Sequence, residues 1–189
     1  MSDSLQIVYW PDPRLKKLSK PVDAFDEKLA ILAAKMLELM RESRGVGLAA
    51  PQVGKNIRLF VMNHDGEPGS DRIYINPVLT DADGDEEAEE GCLSLPKVNA
   101  MVVRSKAMRM KAMDLHGKPF EQIETGYIAR IWQHEVDHLN GVLITDRMGP
   151  VAKMAHRKIL RELEEKYAEE HPPAPAARSA PAKKKKPRL

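Results

Sequence analysis

Gln133-His134-Glu135-Val136-Asp137-His138-Leu139-Asn140-Gly141 is the stretch that decides how this chain reads. Its two histidines stand at i and i+4. On a helix they share one face, one turn apart, and both imidazoles can reach a single cation. Glu135 lies about 100° further round the helix. From there it can approach a water beside that cation without becoming a ligand, which is the placement a general base needs. Two surface histidines on a charged helix would be the bland alternative. Thr125 is a good N-cap and Gly141 a good stop, so the helix is expected to run between them.

Working outward, Asp23 to Ser43 reads as an amphipathic helix, with Leu29, Leu32, Met36, Leu39 and Met40 at helical spacing. Gly45 and Gly47 end it and lead into a tight loop. Ile57 to Met62 and Arg72 to Leu79 read as short strands joined by a His64-Asp65-Gly66 turn. The acidic run from Asp81 to Glu90 reads as a solvated loop. Val102 to Leu115 alternates apolar and charged residues, as a half-buried strand does, and His116-Gly117-Lys118 turns it into a partner near Phe120 to Glu124. A last helix covers about Val151 to Glu170. The expected class is α+β: small antiparallel sheets packed around the central histidine helix, with helices N- and C-terminal to it.

The chain has 189 residues, enough for one domain with a sizeable core plus a tail. Residues 1–170 are read as the catalytic domain. The segment 171–189, rich in proline, alanine and lysine, is read as a disordered basic tail. Aromatics are only 5% of the residues, so aliphatic side chains and the ten methionines must fill the core. The tail holds six basic residues and no acidic one, which leaves 24 basic against 28 acidic residues in the body. No run approaches the roughly 18 to 20 apolar residues that span a bilayer. Asp3, Pro11, Asp12, Pro13 and Arg14 interrupt the start before a signal sequence can form. With one cysteine, Cys92, no intramolecular disulfide exists. A cytoplasmic protein, without membrane partners and most simply a monomer, is expected.

Two histidines hold a metal poorly, so a third ligand is expected, and Glu90-Gly91-Cys92-Leu93-Ser94 offers a thiolate. Metal coordination deprotonates such a thiol. Two imidazoles and one sulfur leave a fourth tetrahedral position open, the layout of a catalytic rather than a structural site. Gly45-Val46-Gly47-Leu48-Ala49-Ala50-Pro51-Gln52 lets a backbone pass close to something and ends on an amide donor. A phosphate-binding loop would need a lysine that this run lacks.

Together GVGLAAPQ at 45–52, EGCLS at 90–94 and QHEVDHLNG at 133–141 resemble the peptide deformylases, in that family's order and spacing. The resemblance covers roughly residues 5 to 165, with Pro11-Asp12-Pro13-Arg14-Leu15 included. It implies a compact α+β hydrolase, with the histidine helix at its centre, that removes the N-formyl group from the starting methionine of nascent polypeptides and releases formate. It also implies that Cys92, His134 and His138 hold one divalent metal, usually Fe2+, with Zn2+, Ni2+ or Co2+ able to replace it. Glu135 would be the acid/base, and Gln52 with the backbone N–H of Leu93 would meet the oxyanion. Val136 stands where the family often has larger side chains, and residues 95–100 vary in the family, which bears on peptide preference beyond methionine.

Three further expectations concern the surroundings. Asp137 and Glu90 are candidates to orient a histidine or to pair with Arg104. Tyr127, Ile131 and His134 fall at i, i+4 and i+7, so Tyr127 and Ile131, with Val46 and Gly47 opposite, are the expected wall for the methionine side chain. His64, His116, His156 and His171 read as solvated. The basic tail suits an anionic partner such as ribosomal RNA near the nascent-chain exit. Two rival readings stand beside these. A zincin-type protease would draw its third ligand from Glu162, Glu164 or Glu165 and leave Cys92 and Gln52 without a task. A metal-stabilised ribosome-binding module would have no activity on formylated peptides.

Overall fold

Helix α1 (Glu27–Glu42) begins where the Asp26 carboxylate accepts from the Leu29 N–H at 3.0 Å, satisfying one of the free donors of the first turn. The structure, a computed structural model, describes residues 4–172. After α1 the chain forms β1 (Gly47–Ala49), a 3-10 turn over Ala50–Val53, and β2 (Leu59–Met62). Two long strands follow, β3 (Arg72–Cys92) and β4 (Leu95–Met113), then β5 (Pro119–Thr125). The chain closes on α2 (Gly126–Leu139), a helical turn α3 (Ile144–Arg147) and α4 (Pro150–Glu170).

The five strands form one antiparallel sheet in the order β1-β2-β3-β4-β5. The class is α+β, as expected, with the strands joined in a single sheet. Register shifts between Ile75 and Val78, Thr80 and Asp83, and Gly91 and Cys92 break the regular pairing of β3 with β4. The expected loop at Asp81–Glu90 is instead strand, paired with β4 from Asp83↔Ala107 to Glu90↔Ala100. Side chains 80–87 are all exposed, so no apolar alternation marks them; the partner β4 supplies the pattern and the pairing. β4 itself starts seven residues before the expected Val102, and the loop after α1 contains β1.

β2 is buried along its whole length because helices cover both of its faces. Leu59 and Val61 join Leu48 and Ile75 against Leu29, Ala33, Met36 and Met40 of α1. Phe60 and Met62 join Ala49, Tyr74 and Met110 against Ala129, Ile131, Trp132, Val136 and Leu139 of α2. Met36, Met40, Met62 and Met110 are fully buried, so methionine does fill the core. Trp132 packs edge-on to Tyr74 with ring centroids 5.7 Å apart, and Tyr74 stacks on Phe60. A third cluster gathers Val8, Leu15, Leu95, Val98 and Val102 under α3 and one side of α4.

Thr125 is the N-cap residue of α2, but its side chain makes no capping hydrogen bond. The other end is stricter. Gly141 follows the C-cap in the left-handed region at φ 72°, and a Cβ there would meet the Lys16 carbonyl oxygen at 2.5 Å. Only glycine meets both conditions. The basic tail of the sequence reading, from residue 173 on, lies outside the described residues. No helix of the described residues is long and apolar enough to cross a membrane.

Candidate active site

The turn between β3 and β4 and one face of α2 carry the ligand-type side chains. Gly91 and Cys92 end β3, Leu93 and Ser94 make the turn, and Cys92 faces Leu95 across it. This delivers the Cys92 sulfur to the histidine face of α2. Sγ lies 3.3 Å from His138 Nε2, and one ligand atom each from Cys92, His134 and His138 fall within 4.8 Å of one another. The two imidazoles sit 5.0 Å apart at 70°. The rival carboxylates Glu162, Glu164 and Glu165 are on α4, exposed, and none of them belongs to this group.

The donors fit a divalent ion. One sulfur and two ring nitrogens are a borderline-soft set with room for a fourth ligand. Burial pushes His138 well below its usual pKa, with the charges on His134 and Arg104 adding to it, so its ring is neutral and keeps a lone pair. Burial works against charge on His134 too, yet its hydrogen bonds with Cys92 and Glu90 hold it well above the ordinary value.

Glu135 is 4% exposed on the same helix turn. Burial raises its carboxyl to about 7, with His134 pulling the other way and Glu90 adding. Its Oε2 is buried and takes no hydrogen bond from the described residues. That leaves an acceptor free for a reactant. Gly47 of β1 makes room for it, since a Cβ there would come within 2.4 Å of Glu135 Oε1.

Gln52 is 1% exposed and rigidly held. Its Oε1 accepts from the Ala49 N–H at 2.8 Å, and its Nε2 donates to Ser94 Oγ at 3.3 Å and towards Cys92 Sγ at 3.7 Å. These residues line a cavity of about 380 Å³. Val46, Gly47, Gln52, Cys92, Leu93, Tyr127, Ile131, His134 and Glu135 all border it, and His138 lies behind them. Tyr127 stands 55% exposed, whereas Ile131 is buried at 4%.

Behind the histidines is a set of charged side chains that the sequence exposed only in part. Glu90 Oε2 pairs with His134 Nδ1 at 3.0 Å, which leaves Nε2 to face the sulfur side. Arg104 grips the same carboxylate with Nε and Nη2, both at 2.9 Å, and reaches Asp137 with Nη1 at 2.5 Å. Arg130 adds a second guanidinium on Glu90, and Arg147 of α3 holds Asp137. Burial alone would raise the Glu90 pKa, but hydrogen bonds to His134 and Arg104 carry it far below the carboxylate range. So Glu90 orients a histidine while Asp137 pairs with arginines. Arg130 and Arg147 were missed. Arg130 did have a signal, as a lone cation between Ala129 and Ile131; Arg147 had none. Of the remaining histidines, His64, His116 and His171 are exposed, and His156 on α4 bonds the Asn99 carbonyl.

The sequence model of the polypeptide deformylase family matches residues 4–154. The chain belongs to that family. Peptide deformylase of Chromobacterium violaceum is 41% identical over 160 residues, covering 85% of this chain and 96% of the relative. That of Thermotoga maritima is 45% identical over 153 residues, covering 80% and 92%. Among solved structures, a plant peptide deformylase superposes with a TM-score of 0.86 at 40% identity, over 90% of this chain and 95% of its own. One from Plasmodium falciparum gives 0.85 at 38% identity, over 88% and 99%. The deformylase reading of the three motifs holds: the protein is a metal-dependent hydrolase that removes the N-formyl group from nascent polypeptides.

Proposed function

We propose that Cys92, His134 and His138 hold the ion, that it is Fe2+ with Zn2+, Ni2+ or Co2+ as substitutes, and that Glu135 moves the proton. When bound, the ion supplies a Lewis acid that acidifies a water and draws charge from the formyl oxygen. Glu135 Oε2 accepts a proton from the attacking water as its oxygen bonds to the formyl carbon. The negative oxygen that develops is received by Gln52 Nε2 and the Leu93 N–H. A donor fixed in this way is worth about 3 kcal/mol at the transition state. Glu135 then passes its proton to the departing nitrogen, the C–N bond breaks, and formate and a free α-amino group result.

The observation that carries this reading is the joint placement of a three-ligand cluster, two members of which line the cavity, and, on the same cavity, a buried Glu135 carboxylate whose Oε2 has no hydrogen-bond partner among the described residues. The buried Ile131 and the edge of Tyr127, facing Val46 and Gly47, are assigned to the methionine side chain. Working in the cytoplasm as a monomer, the enzyme would use its basic tail, residues 171–189, to approach ribosomal RNA. Exchanging Cys92→Ser tests the ligand set. The variant should lose most of its metal by elemental analysis and its formate release with it. Full occupancy in a folded variant would remove Cys92 from the site.

A further inference from the structure

Arg130 is a cation inside the molecule, its side chain 7% exposed, on the α2 turn just before His134. Its Nη1 donates to Glu90 Oε1 at 2.8 Å and to the Val102 carbonyl of β4 at 2.9 Å. Its Nη2 donates to the Glu86 carbonyl of β3 at 2.7 Å. One planar head therefore ties α2 to both strands of the β3–β4 hairpin and to the carboxylate that holds His134. With Arg104 on both oxygens and His134 on Oε2, Glu90 takes four hydrogen bonds, about as many as a carboxylate has lone-pair sites.

We propose that Arg130 is a positioning residue for the metal site: it fixes Glu90, and through Glu90 the ring of His134, against the hairpin that carries Cys92. The inference rests on the assignment of Cys92, His134 and His138 as ligands. A guanidinium suits the task because its rigid fork reaches three acceptors in different directions, two of them backbone carbonyls on different strands. A lysine head can meet one or two of them but cannot span both strands. Arg104 alone does not fix the geometry: it joins β4 to the Glu90 side chain and to Asp137 of α2, but its three donors all go to carboxylates and none to a backbone carbonyl of the hairpin. Partners beyond the ligands of a metal commonly control affinity, and their loss weakens it about ten- to a hundredfold.

The test is the affinity of the full-length apoprotein for Co2+, by competition with a chromophoric chelator, in the parent and in Arg130→Met, Arg130→Lys and Glu90→Gln. We expect a Co2+ dissociation constant about ten- to a hundredfold higher for Arg130→Met, with an altered Co2+ absorption spectrum, and an intermediate loss for Arg130→Lys. In the Glu90→Gln background Arg130→Met should cost little more, because the effect passes through that carboxylate. A folded Arg130→Met that binds Co2+ within about twofold of the parent, with the same spectrum, would reduce Arg130 to a structural clamp. Should Arg130→Met not fold, Arg130→Lys decides in the same way. His134→Ala distinguishes the two levels: if it binds Co2+ as the parent does, the ligand assignment itself falls, and the role of Arg130 with it.

Discussion

Glu135 has one carboxylate oxygen against Gly47 and the other without a hydrogen-bond partner among the described residues, and both facts make predictions. Glu135→Gln keeps the size of the side chain but cannot accept a proton. Its metal content should stay near that of the parent while turnover falls by at least about 10²-fold. Unchanged turnover would end the general-base assignment. Gly47→Ala puts a methyl 2.4 Å from Glu135 Oε1, so the carboxylate or β1 must shift. A displacement of about 1 Å costs about 10²-fold in rate, so kcat should drop sharply while metal content and melting temperature change little. A kcat like the parent's would show that Glu135 does not need this position. Sequence alone suggested Gly47 as a substrate contact; the coordinates add its role as the space that Glu135 occupies.

Helix α2 was legible because its signals are local: i, i+4 histidines, an apolar face, and a glycine stop. The acidic part of β3 was not, because its exposed side chains carry no period and only the pairing with β4 makes it a strand. Arg130 stands out in the sequence as a lone cation between apolar neighbours, but its partners do not, as they are 28 to 44 residues away. The α2 face also sets a prediction for specificity. Ile131 is buried yet borders the cavity, one turn before His134. Burying a methionine side chain is worth roughly 1.5–3 kcal/mol, or about ten- to a hundredfold over alanine. Ile131→Glu should erode the ratio of kcat/KM for formyl-Met over formyl-Ala peptides more than it erodes metal binding. An unchanged ratio in a folded, metal-loaded variant would move the pocket elsewhere.

At the scale of the molecule, α1 and α2 clamp the central strands while the β3–β4 turn and α2 bring ligands from positions 92, 134 and 138 together. The EGCLS and QHEVDHLNG motifs therefore meet only once the β3–β4 turn is packed on α2, which explains why spacing in sequence indicates the chemistry before the topology. The basic segment, from residue 173 on, lies outside the described residues. Deleting residues 171–189 removes six of the 30 basic residues and none of the residues described as lining the cavity. Small-peptide turnover should stay intact while co-sedimentation with ribosomes at low salt weakens. Unchanged sedimentation would leave the segment a solvating tail.

The central claim is hydrolysis of a formyl group at a site built by Cys92, His134, His138 and Glu135. Its most direct test is formate release from a formyl-methionyl tripeptide by anaerobically purified protein, before and after chelation and after Fe2+ is returned. The account predicts one formate for each new α-amino group, loss of activity on chelation, recovery with Fe2+, and no recovery in His138→Ala. Formate release that survives complete removal of metal, or that is unchanged in His138→Ala, would contradict it.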